Sequence, residues 1–101
     1  MEYYIYILYS ATSDIYYVGY SDDYKRRFEQ HNHADKVTFT SKHRPWALKV
    51  VYSCGTSQAA AMKIEKFIKK QKSRKLVEKL ISGGEFTGLL AQLVRVPHVR
   101  D

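Results

Sequence analysis

Five side chains in this sequence have the types needed to cut a phosphodiester bond with one metal ion. They are two tyrosines, an arginine, a histidine and a glutamate, at Tyr6, Tyr17, Arg27, His31 and Glu65. Hydrolysis of this bond needs an activated water, positive charge against the phosphoryl transition state and a way to stabilise the leaving oxygen. The ordered set therefore indicates phosphodiester chemistry.

Each of the five could take one part of that reaction. Arg27 is always charged and could present two donors to a phosphate. Glu65 could hold one Mg²⁺ or Mn²⁺ ion by direct contact, with waters and substrate oxygens filling the remaining positions. Tyr6 or Tyr17 could take a proton from water if a cation lowered its pKa from about 10, and His31 could pass that proton to solvent. The sequence does not decide between the two tyrosines.

Each side chain also has a structural explanation. A tyrosine in a strand most often packs against its neighbours, and an arginine on an exposed helix is usually solvated. His31 could contact helix carbonyls, and Glu65, between Lys63 and Lys66, could form only a surface ion pair. The spacing of all five together favours a catalytic set over five separate structural roles.

Two short segments predict a β-hairpin that holds the tyrosines. Residues 3–9 and 15–20 are rich in aromatic and β-branched side chains. Side chains alternate across a strand, so Tyr17 and Gly19 share one face. In a symmetric hairpin Tyr6 and Tyr17 would be near cross-strand neighbours.

The segment after the hairpin predicts a helix and then a long loop. Ser21, followed by two aspartates, has the features of a helix start, and the helix should run to about His33. Arg27 and His31, four residues apart, would project from consecutive turns of one face. Residues 32–46 are polar and basic without periodicity, which predicts a loop beside the site.

One more strand and two more helices are predicted further along. Residues 48–53 form the strand, and one of the two hydroxyl residues after Gly55 caps a helix with Glu65 at the edge of its apolar stripe. That stripe consists of Ala60, Ile64, Phe67 and Ile68. A third helix begins at Ser73 and ends at Gly83.

We therefore expect residues 1–82 to form one α+β domain and residues 83–101 to form a tail. The tail contains Leu89, Leu90, Leu93 and Val94, enough apolar side chains for one short amphipathic helix. Such a helix could pack on the domain or support weak self-association.

The composition favours a cytoplasmic protein with a polyanionic partner. The 101 residues carry a net charge of +7, which indicates nucleic acid before membrane. Between the two nucleic acids we expect DNA before RNA. Cys54 is the only cysteine, so no intrachain disulfide or cysteine-based zinc site can form. The apolar start of the chain is too short to span a bilayer.

The order of the five residues resembles the GIY-YIG nuclease superfamily. The two name-giving motifs match Tyr4-Ile5-Tyr6 and Tyr17-Val18-Gly19. The resemblance covers about residues 3 to 82 and is strongest to small stand-alone members related to the N-terminal nuclease of the bacterial excision-repair subunit. One departure is Tyr4, a bulky residue in place of glycine, and it would reshape the cleft beside Tyr6.

The resemblance implies a three-stranded antiparallel sheet flanked by helices and one divalent metal held by Glu65. It also implies Arg27 on the scissile phosphate, a tyrosine of either motif as general base, and a role for His31 in assisting the tyrosine. Gly19 would be required because a side chain there would intrude on the phosphate, and a strand glycine independently indicates close backbone approach.

We expect a metal-dependent endonuclease that acts on DNA, in repair or in processing of branched, damaged or single-stranded forms. The expected substrate contacts lie in the hairpin, on the first helix, in the loop and on the basic face of the second helix. They are Gly19, Arg26, Lys36, Lys42, Arg44, Lys66, Lys69 and Lys70. The alternatives are a nucleic-acid-binding module that retains the fold without catalysis, and a protein-interaction module that uses the tail.

Overall fold

An antiparallel four-stranded sheet and three α-helices make up residues 1–97, the part of the chain that the computed structural model describes. The strands are β1 (Tyr4–Ser10), β2 (Ile15–Ser21), β3 (Trp46–Ser53) and β4 (Val94–Arg95). The helices are α1 (Tyr24–His33), α2 (Gln58–Gln71) and α3 (Arg74–Ser82), with short 3₁₀ helices at Thr40–His43 and Gly88–Gln92. The predicted α+β class is confirmed.

The prediction of three strands is wrong, because the sheet has the order β2-β1-β3-β4. β4 pairs antiparallel with the end of β3, where Tyr52 lies opposite Arg95 and Ser53 lies opposite Val94. A strand of two residues is too short to produce a recognisable alternation of apolar and polar side chains. Only the packing of the tail against β3 creates it.

Within residues 83–97 the tail does not form the predicted amphipathic α-helix. Its leucines lie in and next to the 3₁₀ helix Gly88–Gln92, where Leu90 is buried and both Leu89 and Leu93 pack against the main core. Only Val94 remains well exposed. The last four residues of the predicted tail, 98–101, lie outside the described residues, and self-association stays a prediction.

The hairpin register places the two tyrosines on one face of the sheet. Tyr6 lies directly opposite Gly19, and Tyr17 lies opposite Leu8, so the tyrosines are diagonal neighbours. Their ring centroids are 6.5 Å apart. Tyr6 and Tyr17 are therefore close together, as predicted, and they contact each other diagonally across the two strands.

The helix starts follow side-chain caps. Ser57 and Ser73 accept hydrogen bonds from main-chain N–H groups in the first turns of α2 and α3, as predicted. The cap of α1 is Asp23, because Ser21 is the last residue of β2 and its hydroxyl accepts from the Asp23 N–H. The predicted loop 32–46 also contains the 3₁₀ helix Thr40–His43, so part of it is ordered by main-chain hydrogen bonds.

The sheet has a core on each face. On one face Ile5, Ile7 and Val50 pack with residues of α2 and α3, and on the other Tyr6 and Leu8 pack with residues that include Trp46, Leu48, Val51, Tyr24 and Phe28. Phe67, predicted in the apolar stripe of α2, is instead exposed.

The longest helix has 14 residues, and no helix within residues 1–97 has the length and apolar character for a membrane crossing.

Candidate active site

A buried chain of hydrogen bonds begins at Tyr6. Its hydroxyl lies 2.8 Å from Nε2 of His31, and Nδ1 of His31 lies 3.0 Å from Oγ1 of Thr40. All three side chains are buried, with His31 only 5% exposed. The three hydrogen-bonded side chains thus come from three elements: Tyr6 from β1, His31 from α1 and Thr40 from the 3₁₀ helix Thr40–His43.

His31 is neutral in this environment. Burial, and then the positive charges of Arg27, Arg44 and Lys69, lower its pKa to about 4. A neutral imidazole has one nitrogen free to accept a hydrogen bond, so Nε2 can accept from Tyr6 while Nδ1 donates to Thr40. This protonation state suits His31 as the hydrogen-bond acceptor that orients the Tyr6 phenol.

His31 is only 5% exposed, so the imidazole has little direct contact with solvent, and its role as a proton relay stays a prediction. The hydrogen-bonded chain instead continues from Thr40 to Oγ1 of Thr38, 3.2 Å away, and Thr38 is exposed. Thr40 is a site residue that the sequence analysis missed. A lone threonine in a polar loop gives no pattern that would indicate this contact.

Both tyrosines of the site hold their protons tightly. Burial and the neighbouring Tyr17 raise the pKa of Tyr6 to about 12, and the charge of Arg27 acts in the opposite direction. Burial and the Glu65 carboxylate also raise the pKa of Tyr17. Either phenol would therefore need a cation in the cleft before it could act as a base near neutral pH.

The structure requires glycine at position 19 because of the Tyr6 side chain, whereas the predicted reason was the substrate phosphate. A Cβ atom at position 19 would lie 2.4 Å from the Tyr6 hydroxyl oxygen and 2.5 Å from the ring carbon that bears it. Such distances are far inside van der Waals contact. The absence of a side chain at Gly19 thus makes room for the phenol across the strands.

Arg27 and Glu65 meet the tyrosines in one open cleft at the β2 edge of the sheet. The cleft is lined by residues that include Tyr6, Tyr17, Gly19, Arg26, Arg27 and Glu65. Helix α1 supplies Arg27, whose Nη1 donates to Oε1 of Gln30 at 2.7 Å, and α2 packs along β2 and supplies Glu65. Four of the five predicted catalytic side chains line this cleft, and His31 lies behind Tyr6.

Glu65 is the carboxylate best placed to hold a metal ion. Its side chain is 19% exposed, and one oxygen lies 3.8 Å from the Lys69 ammonium, which in turn lies 5.0 Å from the centre of the Tyr17 ring. Among residues 1–97 no group of three or more acidic, histidine or cysteine side chains could form a full cage. The donor set fits Mg²⁺ or Mn²⁺ held by one carboxylate, waters and substrate oxygens.

The predicted substrate contacts occupy several surfaces. Arg26 lines the cleft, Lys69 lies beside Glu65, and Lys36 lines a neighbouring cleft. The other predicted lysines, Lys42, Lys66 and Lys70, are exposed. Their contact with substrate stays a prediction.

Arg44 has a structural role that its sequence position did not indicate. Its guanidinium donates to the carbonyl oxygens of Gln30, His31 and Ala34 at the end of α1. Carbonyls at a helix end lack partners within the helix, so a charged donor there stabilises the end. Arg44 therefore fixes the turn that carries His31, and its predicted phosphate contact stays untested.

The neutral state of His31 predicts lower stability at acid pH. Its pKa is about 4 in the folded protein, against 6.5 for an ordinary histidine, so the unfolded chain takes up this proton first. The contribution of His31 to stability is complete above pH 6.5 and is lost as the pH falls toward 4. We expect a loss of up to about 3 kcal/mol in the free energy of unfolding, measured by urea denaturation across that range.

His33 provides the matched control for this measurement, because it lies on the same helix with its side chain 74% exposed. The His33→Gln protein should keep the pH dependence of the wild type, and the His31→Gln protein should lose much of it. An NMR titration of the His31 ring would give its pKa directly. A value near 6.5 would contradict the buried, neutral assignment.

The chain is similar to a known family and to two UPF0213 proteins. Residues 2–79 match the family model described as the GIY-YIG catalytic domain. The chain is 33% identical over 75 residues to a UPF0213 protein of Fusobacterium nucleatum, across 71% of this chain and 74% of that protein. It is 32% identical over 84 residues to a UPF0213 protein of Limosilactobacillus reuteri, across 82% of this chain and 86% of that protein.

A solved structure is also similar to the chain. The solution NMR structure of a UPF0213 protein from Bacillus halodurans has 30% sequence identity and a TM-score of 0.47, across 81% of this chain and 84% of that one. The family model itself spans all five predicted catalytic residues.

Proposed function

Because the chain belongs to the GIY-YIG family, we propose that it is an endonuclease that hydrolyses phosphodiester bonds in DNA with one divalent metal ion. The observation that supports this best is the single cleft lined by Tyr6, Tyr17, Arg27 and Glu65. These groups come from two strands and two helices. Their convergence in one cleft supports a common chemical role.

The proposed roles follow from the charges and contacts of the cleft. Arg27 would bind the scissile phosphate, and its guanidinium would oppose the charge that develops on the phosphoryl oxygens. Nε2 of His31, 2.8 Å away, would accept the hydrogen bond of the Tyr6 phenol and orient it. Once a cation in the cleft lowers the pKa of Tyr6 and its proton leaves to solvent, the phenolate would act as general base toward water. Tyr17, on the same face, is the other candidate base.

Glu65 would hold the metal ion. When bound, Mg²⁺ or Mn²⁺ would supply Lewis-acid stabilisation of the phosphoryl and leaving oxygens. The Lys69 ammonium beside Glu65 would have to move aside or share the carboxylate. Lys69 is 44% exposed, so its flexible side chain has room to do so.

A second candidate function is a nucleic-acid-binding module that has the fold without catalysis. Two observations favour it: Lys69 occupies the cation position beside Glu65, and the pKa values of Tyr6 and Tyr17 are both raised. The net charge of +7 would still support binding through phosphate contacts.

Cleavage of labelled DNA by the purified wild type, with Mg²⁺, Mn²⁺ or EDTA, separates the two functions. We expect single-stranded, duplex or branched DNA to be cut in either metal and to remain intact in EDTA. The reason is that the positive charge of the metal ion held by Glu65 is needed to stabilise the transition state. A parallel RNA strand tests the preference for DNA. Salt-dependent binding of every substrate without cutting in either metal would support the non-catalytic module instead.

A further inference from the structure

A second cleft opens beside the proposed catalytic cleft and shares three of its residues. Tyr17, Arg27 and Gln30 line both. The second cleft has a volume of about 440 Å³, and its other lining residues include His31, Lys36, Thr38 and Phe39. This volume is within the usual range for small organic groups. A ligand group in this cleft would lie next to any phosphate bound by Arg27.

Phe39 is an aromatic side chain that the protein leaves largely uncovered. It is 56% exposed, although its ring is stacked at 30° against Tyr17 with 6.4 Å between centroids. His43 contacts it from another side, with 4.7 Å between centroids. Its neighbours thus hold the ring in place, while much of its surface faces solvent and the cleft.

The turn that carries Phe39 is ordered by hydrogen bonds on both sides of it. Main-chain and hydroxyl groups of Thr38 and Ser41 are joined by three bonds of 2.8 to 3.3 Å, and the Lys42 N–H donates to the Phe39 carbonyl. Thr40 is buried against His31. A ring positioned in advance loses little conformational entropy when a ligand packs on it.

The cleft combines an aromatic surface with positive charge. Phe39 provides the aromatic face, and Arg27 and Lys36 provide the cations. Stacking of bases on aromatic rings beside cations that track the backbone is the usual way in which proteins bind unpaired nucleic acid.

We propose that this cleft binds an unpaired nucleobase, which stacks on Phe39 while the adjacent phosphate contacts Arg27. A base in a duplex is already stacked on both sides and paired at its edge, so it must leave the duplex to reach Phe39. The proposal rests on the proposed nuclease function and adds a substrate class to it. The preferred substrate is a single strand or a frayed end.

The test is a binding measurement in EDTA, where no metal-dependent cutting can occur. Fluorescence anisotropy would compare the affinities of wild type and Phe39→Ala for a labelled oligothymidylate and for an abasic strand of the same length and charge. We expect Phe39→Ala to weaken oligothymidylate binding by roughly 5- to 100-fold, the range for loss of one aromatic stacking partner, and to leave abasic binding unchanged. An oligouridylate strand tests whether the base is read on RNA as well.

Phe67→Ala is the matched control, because Phe67 is also an exposed phenylalanine, on α2, but lines neither cleft. It should bind both strands as the wild type does, and Phe39→Trp should restore the preference for bases. An equal loss on both strands in Phe39→Ala, no loss at all, or the same loss in Phe67→Ala would each overturn the proposal. Circular dichroism would establish that the variants are folded.

The result of this binding test can be distinguished from the result of the cleavage test of the nuclease proposal. Base-dependent binding through Phe39 without cutting in Mg²⁺ or Mn²⁺ would keep the subsite and remove the catalysis. Metal-dependent cutting with no contribution from Phe39 to binding would keep the catalysis and remove the subsite.

Discussion

Replacement of Glu65 by glutamine should reduce metal-dependent DNA cleavage by roughly a thousandfold or more, equivalent to several kcal/mol of transition-state stabilisation. Glutamine keeps the shape of the side chain but removes the negative charge that a divalent cation needs. The side chain is only 19% exposed and faces the cleft that Tyr6, Tyr17 and Arg27 also line. The measurement is the single-turnover cleavage rate in Mg²⁺ and in Mn²⁺.

The fold should tolerate this change, because the ion pair between Glu65 and the partly exposed Lys69 is long, at 3.8 Å, and glutamine keeps the shape of the side chain. We expect a change in stability below about 1 kcal/mol. DNA affinity in EDTA should be equal or slightly greater, since a negative charge is removed. Glu29→Gln is the matched control, as Glu29 is 66% exposed on α1, and it should cut normally. Undiminished cleavage by Glu65→Gln would contradict the metal assignment.

Replacement of Gly19 by alanine should damage both stability and cleavage. The added methyl group would lie 2.4 Å from the Tyr6 hydroxyl oxygen, and Tyr6 is 1% exposed, so its ring has little space to move into. Overpacking of this kind costs about 1–3 kcal/mol. Displacement of the phenol from His31 should also reduce cleavage about a hundredfold. Urea denaturation and single-turnover kinetics measure the two effects.

A double-mutant cycle with Tyr6→Leu tests the physical reason for that loss. Leucine lacks the hydroxyl and ring atoms that the new methyl would meet, so in this background Gly19→Ala should cost less than about 1 kcal/mol. If the full cost persists, the close contact with Tyr6 is not its cause. Loss of activity with unchanged stability would instead favour the phosphate contact that the sequence analysis predicted for Gly19.

Local patterns predicted the elements that hold the site. The hairpin was recognisable because residues 3–9 and 15–20 contain runs of β-branched and aromatic side chains, and Ser57 and Ser73 cap the second and third helices as their sequence context indicates. Alternation along β1 and β2 then predicted that Tyr6 and Tyr17 lie near each other. The five-residue set was visible because its order matches a known motif.

Other features depend on contacts between residues far apart in sequence. β4 exists because two residues of the tail pair with β3, and Arg44 caps α1 because the chain returns to that helix end. The cap of α1 is Asp23, and not the predicted Ser21, because Ser21 still pairs with β1 as the last residue of β2. Short-range patterns do not encode such contacts.

The sequence by itself determined the α+β class, the hairpin, the cap of the third helix and the candidate set of Tyr6, Tyr17, Arg27, His31 and Glu65. Only the tertiary structure decided that Tyr6 bonds to a buried, neutral His31 backed by Thr40, and that Gly19 makes room for the phenol. Residue type and spacing fix which groups a helix or strand can present. Burial and cross-element distance, which set pKa values and steric fit, arise only when those elements pack together.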